Sequence, residues 1–159
     1  MIIHHNVKRT KIFLDEKWVA KVSDFRLSKM GPTTMFIAHV STVVKGSIGY
    51  FDPEYYRRQQ LSKKSDAYSF GVVLCEVLCG RPTIMRNAEK GQWAQHCYRN
   101  GTLHQIIDRN LTSKIAPECL KKYSEIAVTS MHDNGTEKPS MNDVVWGLEF
   151  AMQLQQNAT

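Results

Sequence analysis

Apolar positions along this chain change their period several times, and each change predicts an element. Ile12-Phe13-Leu14 and Trp18-Val19-Ala20-Lys21-Val22 are short apolar runs separated by Asp15-Glu16-Lys17. That pattern predicts two small antiparallel strands joined by a polar turn. Positions 26–52 hold glycines, Pro32 and many Ser and Thr without a sustained period, so a long loop is expected there. Loops of that length are usually functional. Pro53, heading "PEYY", suits the first position of a short helix.

The stretch 65–80 predicts a helix of another kind. Ala67, Tyr68, Phe70, Val72, Val73, Leu74, Val77 and Leu78 cover nearly its whole circumference, the mark of a buried helix. Gly80 and then Pro82 end it. A loop is expected over 81–92, with short helices over 92–99 and 103–107. Leu120, Tyr123, Ala127 and Met131 recur at helical spacing over 117–131. Met141, Val144, Val145, Leu148 and Met152 do the same over 140–155, where Ser140 is a good N-cap with Asp143 three residues on. One hairpin cannot build a large sheet, so the body is read as mainly α, with a small β-hairpin.

Composition narrows the classes. A length of 159 residues suits one domain, and 42% hydrophobic content is enough for a core. The net charge of +6 is spread over separate segments, which reads as a solvated surface rather than a nucleic-acid groove. Four cysteines form no C-x-x-C pair, so no zinc site is expected, and Cys75 and Cys79 read as helix packing. Free thiols without a signal peptide point to a reducing, cytoplasmic compartment. The most apolar run, 70–79, is broken by Glu76 and too short to span a bilayer, so no transmembrane segment is expected in this chain.

Four stretches carry chemistry. "VSDFRLSK" resembles the D-F-G segment of protein kinases, and "KGSIGYFDPEY" the end of a kinase activation segment, with Asp52-Pro53-Glu54 where A-P-E usually stands. "SDAYSFGVVLCEVLCGRP" resembles the buried central helix of the kinase C-terminal lobe, and "IIHHNVKRTK" then aligns with the catalytic loop H-R-D-L-x-x-x-N. The wording of "FDPEYYRRQQLSKKSDAYSFGVVL" and "KPSMNDVVWGLEFAMQLQ" is close to plant receptor-like kinases, most of all the malectin-domain type. The resemblance implies a partial kinase domain over 1–156, from the catalytic loop to the last helix, with a tail at 157–159. The amino-terminal lobe, with its Gly-rich loop and lysine strand, is absent from this sequence.

Carried over residue by residue, the resemblance places several departures at the catalytic loop. His4 matches, and reads as a core packing residue. The family arginine is His5, which cannot reproduce a bidentate phosphate reader. The catalytic base position is Asn6, which lacks a carboxylate; general-base terms are typically worth roughly 10²–10⁴-fold in rate. Lys8 matches the lysine that approaches the transferring phosphate. The second magnesium ligand is Lys11, a cation where Mg²⁺ needs oxygen, expected to repel the metal or pair with Asp24. Asp24 matches the main metal ligand and Phe25 its neighbour. Arg26 replaces the glycine, where a positive φ would cost a non-glycine residue roughly 1–2 kcal/mol.

Structural roles are implied for Asp66, expected to accept backbone amides of the His4–Asn6 loop, and for Glu54, expected to pair with Lys138. Ser41, Thr42 and Ser47 occupy the activation segment as candidate phosphosites. The reading is a kinase-like C-lobe fragment of the serine/threonine receptor-like kinase type, inactive as a phosphotransferase: a pseudokinase. No cofactor is expected, although the family uses ATP and Mg²⁺. Its role would be binding a protein partner through the surface the missing lobe would cover. Two alternatives stay open: a Ser/Thr protein kinase active only in a longer product, and a gene fragment without a selected function.

Overall fold

A computed structural model describes residues 2–31, 39–82, 96–97 and 99–158. The elements run β1 (Ile2–Ile3), β2 (Ile12–Leu14), β3 (Ala20–Val22), β4 (Lys29–Met30), β5 (His39–Ser41), α1 (Pro53–Arg58), β6 (Gln60–Ser62), α2 (Lys63–Cys79), α3 (Arg109–Thr112), α4 (Pro117–Ser130) and α5 (Met141–Asn157). Single 3₁₀ turns stand at Arg9–Lys11, Phe25–Leu27 and Leu103–Gln105. About half of the described residues are helical, and small antiparallel sheets accompany them, so the helical share is lower than the expected mainly α body.

The expected single hairpin is one of three two-stranded antiparallel ladders among the described residues. β2 pairs with β3 in the expected place, with Phe13 opposite Lys21. β1 pairs with β4, and β5 with β6, inside and beside the stretch expected to be loop. Strands of two or three residues with distant partners leave no periodicity to read. The second strand is also shorter than expected. Asp15 Oδ1 accepts from the amides of Lys17 and Val19, and Trp18 sits in the resulting turn at φ +61°. That turn holds Trp18 and Val19 out of the strand.

α2 begins earlier than the predicted 65–80 helix. Ser62 is its N-cap, its amide donating to Ser65 Oγ at 3.2 Å, and the helix ends at Gly80 in the left-handed region at φ +63°. A side chain at Gly80 would also meet Asp108 Oδ2. α2 is buried on most sides, but Val77 faces outward. The buried set includes Glu76, whose carboxylate accepts from the Tyr50 hydroxyl at 2.6 Å. α4 and α5 pack on α2 through Val72, Val73, Ile126, Ala127, Met131 and Val144. Gly71 lets α2 approach α4: a Cβ there would lie 2.8 Å from Ser130 Cβ. Ser140 caps α5 and exchanges hydrogen bonds with Asp143, as expected. The loop expected over 81–92 lies almost wholly outside the described residues. So does most of the helix expected over 92–99, of which His96, Cys97 and Arg99 are described as helical. The helix expected over 103–107 is a single 3₁₀ turn, and Asp108 caps the unexpected α3 through the Asn110 amide at 2.7 Å.

Candidate functional site

The residues following β1 pack against the start of α2. Asp66, on the first turn of α2, accepts the His4 amide at 2.6 Å through Oδ2 and the His5 amide at 2.9 Å through Oδ1. Two backbone donors in one carboxylate hold His5 at φ +68°, a conformation a non-glycine residue adopts only when its surroundings impose it. Burial raises the Asp66 carboxyl above its ordinary range, and the two amides oppose that.

The two histidines have separate duties. His4 is buried, its ring edge-on to Phe25 at 4.8 Å. Its Nε2 donates to the Ser23 carbonyl at 3.0 Å, and its Nδ1 accepts the Asn6 amide at 3.3 Å. His5 is also buried, between the Leu27 carbonyl at 3.0 Å and the Tyr55 hydroxyl at 2.7 Å. Asn6 is half-buried and accepts the Ser47 hydroxyl at 3.0 Å, so its amide oxygen is already engaged. Lys8 is half-buried and forms no ion pair among the described residues.

Asp24 stands at φ +64° immediately before the 3₁₀ turn Phe25–Leu27. Arg26 lies within that turn and outside the positive-φ set, so the strain expected at Arg26 does not arise. The left-handed position falls on Asp24, a residue type that tolerates it. Arg26 instead closes back on Asp24 as a fork, Nε to Oδ1 at 2.7 Å and Nη2 to Oδ2 at 3.1 Å. Lys11 Nζ reaches Oδ2 at 2.6 Å. The Arg26 guanidinium first, and Lys11 second, hold the Asp24 carboxyl well below the usual carboxylate range.

A hard divalent cation needs several oxygens at about 2.0–2.1 Å for Mg²⁺. Here both oxygens of the Asp24 carboxylate are bound by cations, the Arg26 guanidinium and the Lys11 ammonium. The donor set does not fit Mg²⁺. No group of three or more His, Cys, Asp or Glu able to hold a metal occurs among the described residues.

Lys138 is fully buried, but its closest partner is Asp52 rather than Glu54. Glu54 Oε2 lies 3.8 Å away, and its carboxylate turns to Arg58 at 3.1 Å. A compact ammonium satisfies one carboxylate closely where a fork would reach two. Asp52 also caps α1, accepting the Glu54 amide at 3.0 Å. Its part in the ion pair had a signal in sequence, an acid directly before Pro-Glu, that reads only as a cap. Tyr55 left no signal: its hydroxyl gathers His5, the Val43 carbonyl and the Lys45 amide. Among the candidate phosphosites, Ser41 is exposed at the end of β5 and Thr42 donates its amide to the Gln59 carbonyl at 3.1 Å. Ser47 is half-buried against Asn6. Burial pushes the Cys75 and Cys79 thiols up to about 12 and about 11, which leaves them inert.

The family described as Protein kinase domain matches residues 1–146. The chain belongs to the protein kinase domain family. It is 60% identical over 162 aligned residues to Receptor-like protein kinase FERONIA of Arabidopsis thaliana, covering 99% of this chain and 18% of that protein. Receptor-like protein kinase ANXUR2 of the same plant is 60% identical over 99% of the chain and 19% of its own length. Receptor-like protein kinase THESEUS 1, also from Arabidopsis thaliana, is 52% identical, again over 99% and 19%. The kinship read from the motifs, with plant receptor-like kinases of the malectin-domain type, is therefore shown. The chain spans about a fifth of the length of these curated relatives. No helix among the described residues is long and apolar enough to cross a membrane.

Proposed function

We propose that this chain is a pseudokinase: a kinase-derived unit over 1–156 that transfers no phosphoryl group and acts in the cytoplasm as a protein-binding module. The observation that carries the reading is the closed triad at Asp24, where Arg26 and Lys11 occupy both carboxylate oxygens. Phosphoryl transfer depends almost entirely on positioning and electrostatic stabilisation. At this site the metal-holding carboxylate is neutralised by the chain itself, and the base position carries an amide already bonded to Ser47.

The binding half of the reading rests on exposed apolar side chains. Phe13, Leu14, Trp18, Val19 and Val22 stand out on the β2–β3 hairpin, with Trp18 81% exposed. Such surface is characteristic of an interaction site. The family label brings a competing reading, a Ser/Thr kinase active in a longer product.

Thermal unfolding in millimolar Mg-ATP tests the inactive reading at this chain. A ligand that binds only the folded state raises Tm with its concentration. No shift is expected here; a saturable rise overturns the inactive reading.

A further inference from the structure

His5, Tyr55 and the backbone at Val43–Lys45 form a hydrogen-bond junction with one hydrogen too few. The Leu27 carbonyl only accepts, so His5 Nδ1, 3.0 Å away, carries a hydrogen whatever the ring's charge. In the neutral ring Nε2 is then a bare acceptor, 2.7 Å from the Tyr55 oxygen. That oxygen accepts the Lys45 amide at 3.1 Å and lies 3.1 Å from the Val43 carbonyl. Tyr55 has one hydroxyl hydrogen and two acceptors competing for it. With His5 neutral the hydrogen goes to the nearer Nε2, and the Val43 carbonyl keeps only the longer contact from the Thr42 hydroxyl at 3.4 Å. With His5 protonated, Nε2–H donates to Tyr55, the tyrosine hydrogen turns to Val43, and every contact is served.

We propose that His5 is a proton-operated switch: a proton on Nε2 redirects the Tyr55 hydroxyl hydrogen to the Val43 carbonyl and so adds a second tie, beside the Lys45 amide, between the Val43–Lys45 segment and the loop after β1. Atoms balance simply. One proton enters from solvent, Nε2 changes from acceptor to donor, and the hydroxyl rotates without being broken. The charged groups around the ring oppose one another. Asp66, on α2, favours the imidazolium, while Lys29 on β4 and Lys45 in the segment itself disfavour it. Burial is the largest influence and lowers the His5 value from its ordinary 6.5. The neutral arrangement therefore holds at neutral pH, and the switch operates on the acid side. This inference is independent of whether the chain transfers phosphate.

Nitrogen-15 spectra of the histidine-labelled chain, titrated with pH, test it. Neutral His5 is expected as the Nδ1–H tautomer and neutral His4 as the Nε2–H tautomer. The Val43 carbonyl carbon and the Lys45 amide are expected to shift with the His5 midpoint, below 6.5. In Tyr55→Phe, His5 is expected still to titrate while the Val43 carbonyl no longer follows it. An Nε2–H tautomer at neutral His5 overturns the proposal. So does a Val43 response that ignores the His5 midpoint, follows Asp66 instead, or persists in Tyr55→Phe. The tautomer and the shared midpoint are read on the unaltered chain, so the test stands even where the variant fails to fold.

Discussion

Lys138→Met is the sharpest perturbation of the buried electrostatics. The Lys138 side chain is 0% exposed and that of Asp52 3% exposed. The ammonium also stands 5.5 Å from the centre of the Tyr68 ring and 3.8 Å from Glu54. Methionine keeps the length and apolar stem, so packing changes little. The Asp52 carboxylate is then left in the interior with the Glu54 amide, at 3.0 Å, as its hydrogen-bond donor. Removing one partner of a buried pair costs about 3–5 kcal/mol, because the other charge stays buried. Domains of this size lose about 2–4 °C of Tm per kcal/mol, so the expected fall is about 6–20 °C. Urea and thermal melts should compare Lys138→Met, Asp52→Asn and the double variant. The double variant is expected to be more stable than Lys138→Met alone, since the orphaned charge is gone while the amide side chain still caps α1. Lys138→Arg is expected to stay within about 1 kcal/mol of the parent, its fork reaching both Asp52 and Glu54. Strictly additive single effects, or a Lys138→Met shift under about 2 °C, would refute the reasoning, because coupled charges cannot give either result.

Two further measurements probe the packing and the loop. Gly71→Ala would place a Cβ 2.8 Å from Ser130 Cβ and 2.9 Å from the Ala127 carbonyl, so α2 and α4 must part. The expected loss is about 1–3 kcal/mol in urea, and an unchanged midpoint would show that the helices do not meet there. Asp66 gives a pH signature. Burial raises its folded value above the ordinary 3.8, so above pH 3.8 the folded state holds more proton than the unfolded one. Stability from this group is full below 3.8, falls as pH rises through the raised folded value, and then levels. The difference between parent and Asp66→Asn should show that slope; a difference flat between pH 3 and 7 would contradict it.

The long helices were legible because each carries a sustained apolar pattern. α4 and α5 place apolar residues at turn spacing, α2 is apolar nearly all round, and Gly80 and Ser140 mark the end of α2 and the start of α5. The ladders β1–β4 and β5–β6 were not legible, because their pairing is set by distant backbone contacts and each strand contributes two or three residues. At the site, the motif resemblance identified Asp24, Lys11 and Asp66 as neighbours of one loop. It did not indicate that Arg26 would fold back on Asp24 as a fork. That contact depends on the 3₁₀ turn at Phe25–Leu27, which no local pattern announces. Lys138 was read as the partner of Glu54, which it meets at 3.8 Å, but Asp52 is the nearer acid. Spacing places an acid near a base but does not choose between two acids on the same turn.

The departures from the kinase pattern share a physical logic. The loop after β1 is held through backbone amides, donated by His4 and His5 into Asp66. Any residue except proline supplies such a donor, so replacing an arginine by His5 and an aspartate by Asn6 leaves the anchoring intact. The turn after Asp24 likewise needs a left-handed residue at Asp24 itself, not at Arg26. Catalysis, by contrast, needs particular side-chain atoms: a carboxylate at the base and oxygen donors facing a metal. On the proposed reading, those atoms are the ones changed. Shape and chemistry here rest on different parts of the same residues, which is how a chain of the kinase family holds its loops in place while the Asp24 carboxylate is bound by its own Arg26 and Lys11.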